Sequence, residues 1–327
     1  MRRATFILVI LAFALVVVLI GALLFGGEKL PLWETLATLS GANGLSEQQK
    51  AILWQIRTPR VLLGASVGAA LALAGASYQA ILRNPLAEPY LLGVSNGAAL
   101  GTMFALVFFG NLAVLRPILA FVGAGAATFA VYRLAHDRAG MTAERLILSG
   151  VIVTTFLSSG IVLITSLLDA TRLRSFTFWL LGDLTSAGSE SFYIAGSAVA
   201  IGLAILISSA RSLNLIMLGE RDAFDFGVEV GRVRLIVFAT ASALVGASVA
   251  ASGSVGYVGL VVPHWIRLSV GSDNRVLLPA SAIVGAGFVV VADTVARSIA
   301  APRELPVGAV TALIGAPLFV YLLRKNA

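Results

Sequence analysis

Two histidines, three lysines and no cysteine limit the chemistry open to this chain of 327 residues. His136 and His264 fall in different segments with no carboxylate cluster beside either, so neither a zinc site nor a haem site has a ligand set. Without cysteine there is no disulfide framework, thiolate metal site or thiol nucleophile. A phosphate-binding loop must end in Gly-Lys-Ser or Gly-Lys-Thr for its lysine to reach the phosphates. Lys29, Lys50 and Lys325 follow Glu28, Gln49 and Arg324, so no such loop exists, and any ATP that drives this chain is hydrolysed on another. Gly123-Ala124-Gly125 sits inside an apolar run rather than after a strand and is no dinucleotide loop. Asp293 and Arg297, spaced i, i+4, can pair on one helix face near the end of a span. No span carries an ionisable group at its middle, which counts against proton or sodium coupling.

The elements that must position these residues are set by composition. Hydrophobic residues are 58% and charged residues 12%, and the mean hydropathy is +0.96. A soluble globule of that composition could not cover its surface with polar groups. Disorder and collagen-like repetition are excluded on the same grounds. The net charge of +7 invites a nucleic-acid reading, but the basic residues are scattered at the ends of apolar runs, as membrane orientation requires, so no nucleic-acid partner is expected.

A bilayer core of about 30 Å takes roughly 20 apolar residues as helix. The expected spans are residues 4–25, 61–82, 90–109, 112–132, 146–168, 191–210, 235–252, 257–270, 276–296 and 305–323. The third and fourth divide around Gly110-Asn111. Met1-Arg2-Arg3 before an apolar run imitates a secretory signal, but no small-x-small site follows, so the first span is read as uncleaved. With the N-terminus inside, inner segments hold 14 of the 23 Lys and Arg and outer segments 9. That favours cytoplasmic termini, with an asymmetry weaker than usual. Residues 26–56 form a long outer loop with a short helix expected around Pro31–Leu39. Residues 211–234 form an inner segment of one or two short amphipathic helices or a solvated connector. Gly64-x-x-x-Gly68 and Gly93-x-x-x-Gly97-x-x-x-Gly101 allow close helix approach. Gly75-Ala76-Ser77 in the second span echoes Gly246-Ala247-Ser248 in the seventh, an offset that would make the two halves inverted repeats.

Several segments, in order, resemble a known permease family. They are Arg57-Thr58-Pro59-Arg60 with Gly68 to Gly75 and Gln79; Arg83-Asn84-Pro85-Leu86-Ala87-Glu88-Pro89 running into Leu92 to Ala98; and Trp179 to Asp183. Leu218-Gly219-Glu220, Gly256 to His264 with Arg267, Ala292-Asp293 with Arg297, Glu304 to Gly308 and Gly315-Ala316-Pro317 with Phe319 complete the set. The chain is identified by them as a member of the FecCD-type permeases of type II ATP-binding-cassette importers, which take up iron-siderophores, haem and vitamin B12.

The resemblance implies roles. Arg57, Arg60 and Arg297 match arginines that dock a periplasmic binding protein on the outer face, which would explain cations retained there. Leu218, Gly219, Glu220, Arg221, Phe224, Asp225, Phe226 and Gly227 match the coupling helices seated in the ATPases. Asn84, Pro85 and Leu86 match one cytoplasmic gate, and Met141 and Thr142 occupy the position of the other. Residues 172–184 resemble the short outer helix that closes the pathway. Ser158, Ser159 and Thr165 are candidates for its wall.

The expectation is therefore an all-α polytopic membrane protein of about ten transmembrane helices with inverted-repeat-like halves, one permease domain over residues 1–327. It binds no cofactor itself; ATP and magnesium belong to the partner ATPase. Its partners are a second permease copy, two ATPase subunits, a binding protein and lipid, in a bacterial inner membrane. The cargo is a metal chelate: ferric siderophore, haem or cobalamin. A stand-alone secondary transporter or channel is the alternative, and a membrane-embedded enzyme lacks the paired acidic or histidine cluster it would need.

Overall fold

A computed structural model describes the chain except residues 1, 27, 29, 43, 110, 111, 113, 138, 139, 186–188, 326 and 327. The described residues form α1 (Arg2–Leu24), α2 (Leu32–Leu39), α3 (Glu47–Ala51), a π-helical turn (Ile52–Arg57) and α4 (Thr58–Ile81). Then come a 3₁₀ turn (Pro89–Leu92), α5 (Val94–Phe108), α6 (Leu115–Ala135), α7 (Ala143–Thr165), α8 (Ala170–Leu180) and α9 (Ser189–Ser208). The remainder is α10 (Ala210–Leu218), α11 (Glu220–Asp225), α12 (Val230–Ser252), α13 (Val258–Val270), α14 (Asn274–Ile299) and α15 (Val307–Lys325). The two strands among these residues are β1 (His136–Asp137) and β2 (Gly140–Met141), paired antiparallel between α6 and α7. Among the described residues, seven helices are long and apolar enough to cross a bilayer alone, and α5, α13 and α15 are shorter apolar helices, in keeping with about ten spans. This is a multi-pass membrane protein.

The core forms around α4, in which every residue from Val67 to Ile81 is buried. Its small residues let neighbours approach backbone to backbone. A Cβ on Gly75 would stand 1.8 Å from the Gly259 carbonyl oxygen, and one on Gly68 2.1 Å from that of Gly285. Without a solvophobic force between helices in lipid, such contact is what holds α4 to α13 and α14. On the α12 side the Tyr78 and Ser242 hydroxyls bond at 2.6 Å.

The second span, expected from Val61, runs back to Glu47 as one helix of 35 residues. Ser46 starts it with a capping box to Gln49. Pro59 has no N–H to continue the α ladder, and the turn before it widens so that the Thr58 N–H reaches Leu53. The outer loop is correspondingly shorter, and α2 takes the place of the helix expected around residues 31–39. The fourth span sits three residues later than expected, with Pro117 in the first turn of α6, where its missing N–H costs nothing. The Gly110-Asn111 division lies outside the described residues.

The halves are related through two broken helices. The short α5 and α13, third and eighth of the ten, each begin at a left-handed residue: Gly93 with φ 76° and Tyr257 with φ 68°. The two breaks touch. Tyr90 Oη donates to the Val255 carbonyl at 2.8 Å and accepts the Val255 N–H at 2.9 Å. Glu88 Oε1 accepts the Tyr257 N–H at 3.3 Å. Paired discontinuous helices in corresponding positions of two halves are what inverted repeats produce.

Candidate functional site

At one end of the bundle, α1 finishes beside α3–α4 and α14, and the three arginines expected to face a partner converge there. They are buried: Arg57, Arg60 and Arg297 expose 4%, 6% and 6% of their surface. A helix ends with carbonyls that lack intrahelical donors, and two of these arginines cap α1. Arg57 Nη1 donates to the Leu23 and Leu24 carbonyls at 2.7 and 3.1 Å, and its Nη2 to the Glu28 carbonyl. Arg297 Nη2 donates to the Ala22 carbonyl. Arg60 instead holds Asp293, with Nε and Nη2 at 3.0 and 2.9 Å from Oδ1, and its Nη1 reaches Glu304 at 2.8 Å. The expected Asp293–Arg297 pair is present at 3.5 Å, but Arg60 is the nearer cation.

The three arginines expected to dock a binding protein thus lie together and are engaged within the chain. Arg57 and Arg297 serve α1, while Arg60 has an ion-pair partner, Glu304, that stands in the open with 44% of its side chain exposed. A cleft of about 170 Å³ lies between them, lined by Glu28, Arg57, Arg60, Arg297 and Glu304. Asp293 was legible as the partner of Arg297; its claim on Arg60, 233 residues away, was not.

Toward the other end, the segment expected to gate the pathway makes a tight turn. Arg83 adopts φ 50°, Asn84 Oδ1 accepts the Leu86 N–H at 2.9 Å, and the Ala87 N–H donates to the Asn84 carbonyl at 3.1 Å. Pro85 and Leu86 are exposed at its tip. The same segment runs on into Glu88, whose carboxyl burial pushes above its ordinary value, against the Tyr257 N–H that favours its charged form. The sequence reading quoted Glu88 within a motif and gave it no role.

The segment 210–229 forms two short helices rather than a solvated connector. Ile216, Ala223 and Val228 are buried together under α12, and this fixes α10 and α11 as a foot. Leu218, Phe224 and Phe226 point the other way, 72%, 72% and 74% exposed. Arg221 and Asp225 are exposed beside them. Gly227, at φ 79°, turns the chain into α12. Glu220 is part exposed, and its carboxylate pairs with Arg234 of α12. Next to the foot, Asn214 bonds Asp273 at 2.7 Å and Asn274 at 2.8 Å. Burial raises Asp273, yet the Asn214 amide and the Arg275 N–H outweigh it and leave the carboxyl below its ordinary range.

Met141 closes the β1–β2 pairing and is buried, while Thr142 caps α7 through the Arg145 N–H at 3.4 Å. Along α7, Ser158 accepts from Asn96 Nδ2 at 2.6 Å, tying it to α5. Ser159 and Thr165 bond their own helix, at Thr155 and Val162. Ser159 is exposed on the face of α7 that also carries Val151, Ile152, Phe156 and Val162. The short helix resembling the outer closure is α8, capped by Asp169. It leads to Leu181 and Gly182, which bond the start of α15 at Gly308 and Val307.

Comparison with known proteins agrees with this architecture. The profile of the FecCD transport family matches residues 10–325. The cobalamin import system permease protein of Halobacterium salinarum is 43% identical over 286 residues, covering 86% of this chain and 76% of that protein. The Fe(3+)-citrate import system permease protein of Bacillus subtilis is 38% identical over 330 residues, covering 99% and 97%. A solved metal-chelate type ABC transporter in an inward-facing conformation superposes with a TM-score of 0.88 at 33% identity, over 98% of this chain and 99% of the other.

Proposed function

The chain belongs to the FecCD transport family, and from that premise we propose that it carries a metal chelate across the inner membrane as one of two permease copies in an ATP-driven importer. As a permease subunit of an ABC importer, this chain transports and forms no covalent bond. In this reading the Arg60 end faces the periplasm, and the Glu220 end, where α1 begins and α15 finishes, faces the cytoplasm. The observation that carries it is the foot formed by α10 and α11. Two phenylalanines and a leucine stand exposed among Arg221, Asp222 and Asp225 at a membrane protein's end, an arrangement that fits a polar-rimmed cleft in a soluble partner. That partner is an ATPase supplying the nucleotide chemistry this chain has no loop for.

At the opposite end, docking of a binding protein proceeds by exchange. An incoming carboxylate enters the cleft, takes Arg60 Nη1 and releases Glu304, so no buried cation is left unpaired. The gates are the Asn84–Leu86 turn and the Met141–Thr142 corner, and the exposed hydroxyl face of α7 lines the pathway against the second copy.

The test is uptake into proteoliposomes containing this chain and its ATPase, with ferric siderophore, haem and cobalamin each offered on a cognate binding protein. ATP-dependent uptake of one, lost when the ATPase's catalytic glutamate is replaced, supports the reading and names the cargo. Uptake that persists without ATP would instead make the chain a stand-alone carrier.

A further inference from the structure

Among the described residues, Arg234 is the largest side chain that is almost wholly buried, with 2% of its surface exposed. It lies one turn into α12, under the foot. Its Nη2 donates to Glu220, the first residue of α11, and its Nη1 to the carbonyl of Met141, the corner between β2 and α7. One guanidinium thus joins the helix that leads to Phe224 and Phe226 and the adjoining base of α12 to the loop before α7, 93 residues away in the sequence. The guanidinium itself is closed to water, while Glu220 reaches it from a side chain that is 41% exposed; both bonds run from a cation to an acidic or carbonyl oxygen, a charge-assisted kind that is strong and directional.

The two bodies that Arg234 joins are each stiff. On one side, Ala223 is held in an apolar cluster with Ile216 and Val228, so α10 and α11 form one unit. On the other, the β1–β2 pairing, the Thr142 cap and an ion pair between Asp137 and Arg145 tie residues 136–137 and 140–145 into a single corner. Between stiff bodies, a displacement is carried by what connects them.

We propose that Arg234 is the positioning residue that transmits movement of α11 to the Met141–Thr142 corner, so that closure of the partner ATPase displaces this gate through the chain Glu220–Arg234–Met141. The proposal rests on the reading of α11 as the ATPase contact. A lysine in place of Arg234 keeps the charge but has one nitrogen, which cannot hold Glu220 and the Met141 carbonyl in the fork geometry of a guanidinium. A glutamine in place of Glu220 leaves Arg234 and its bond to Met141 and weakens the link at α11 only.

Because the chain has no cysteine, a cysteine at Thr142 is its sole thiol and reports the corner directly. The experiment uses the full permease–ATPase complex in liposomes and measures labelling of Thr142→Cys by an impermeant maleimide, with and without ATP trapped on a hydrolysis-deficient ATPase. A second measurement takes chelate transported per ATP hydrolysed, and a third the cross-linking of Asp225→Cys to the ATPase. With Arg234 and Glu220 intact, trapped ATP changes the labelling rate at least fivefold. In Arg234→Lys and Glu220→Gln that change falls below twofold and transport per ATP drops about tenfold, while the Asp225→Cys cross-link persists. A residue that merely stabilised the fold would lower assembly and cross-linking together and leave the ratio of transport to hydrolysis unchanged. Full nucleotide-dependent labelling in both variants, with the cross-link intact, overturns the link alone. Loss of the cross-link in the otherwise unaltered complex overturns the ATPase contact at α11 from which the link starts.

Discussion

The two ends of the bundle solve opposite problems with the same residue types. At the Arg60 end, charges that would ordinarily seek water are enclosed: three arginines and Asp293 are buried, and the carbonyls of Ala22, Leu23 and Leu24 are capped by two of them. At the Glu220 end, residues that would ordinarily be enclosed are shown: Leu218, Phe224 and Phe226 stand exposed on helices whose own core is already complete without them. The difference separates structure from recognition. Buried charge at the first end fastens α1, α4 and α14 and leaves Glu304 part exposed beside Arg60 for exchange. Exposed apolar surface at the second has nothing left to do within the chain, and an amphipathic foot with its greasy side outward is a surface awaiting a partner.

Four variants would break or sharpen this contrast. The largest effect belongs to Asp293→Asn, which leaves Arg60 and Arg297 enclosed with Glu304 as their one remaining carboxylate. A buried charge that loses its partner costs on the order of 3 kcal/mol, so thermal unfolding in detergent should move down by several degrees; an unmoved transition would mean the cluster is not structural. Next, Phe224→Ala with Phe226→Ala should leave that transition within about 0.5 kcal/mol, as for any exposed position. The pair should nonetheless weaken ATPase assembly at least tenfold, since desolvated aromatic anchors are each worth about 2 kcal/mol at an interface. Equal loss of stability and assembly would erase the distinction between the ends.

A smaller effect is expected from Glu304→Gln. The carboxylate on Arg60 competes with an incoming one, and a half-exposed pair is worth about 1 kcal/mol at most. Binding-protein affinity measured by titration should therefore rise about fivefold, and weaker binding would show Glu304 to be part of the docking surface instead of its competitor. Charge reversal at the buried arginines is a poor test by comparison, because it would dismantle the corner that holds α1. The smallest effect concerns Glu88. Its carboxyl is raised above the ordinary 4.5, so the folded state prefers it protonated. Its contribution favours folding below that ordinary value and is lost as pH rises through the raised one. Glu88→Gln, which keeps an acceptor for the Tyr257 N–H, should flatten this part of the stability–pH curve as pH rises above 4.5; an identical curve would remove Glu88 from the account.

Spans and foot were legible because they are written in local patterns. A run of apolar residues marks a crossing whatever it packs against, and Leu218 to Gly227 carries its amphipathic character in ten consecutive residues. Resemblance supplied what the pattern meant. The burial of the arginines was illegible for the complementary reason. Arg57 meets Leu23 and Leu24 across more than 30 residues, and Arg297 meets Ala22 across 275. Their partners are backbone carbonyls, which leave no mark in a sequence. Arg234 was hidden likewise, counted among inner basic residues and joined to Met141 through a carbonyl 93 residues away. The left-handed Tyr257 had no signal at all, since tyrosine gives no hint of positive φ.

The contrast between the ends comes down to communication across about 30 Å of bilayer, and ATP hydrolysis by the assembled complex reads it most directly. Hydrolysis should be stimulated by the loaded binding protein arriving at the Arg60 end. In Phe224→Ala/Phe226→Ala that stimulation should vanish along with basal hydrolysis by bound ATPase, and in Glu304→Gln it should appear at a lower binding-protein concentration. Hydrolysis that ignores the binding protein, or stimulation that survives removal of both phenylalanines, would contradict the assignment of a receiving end and a driven end.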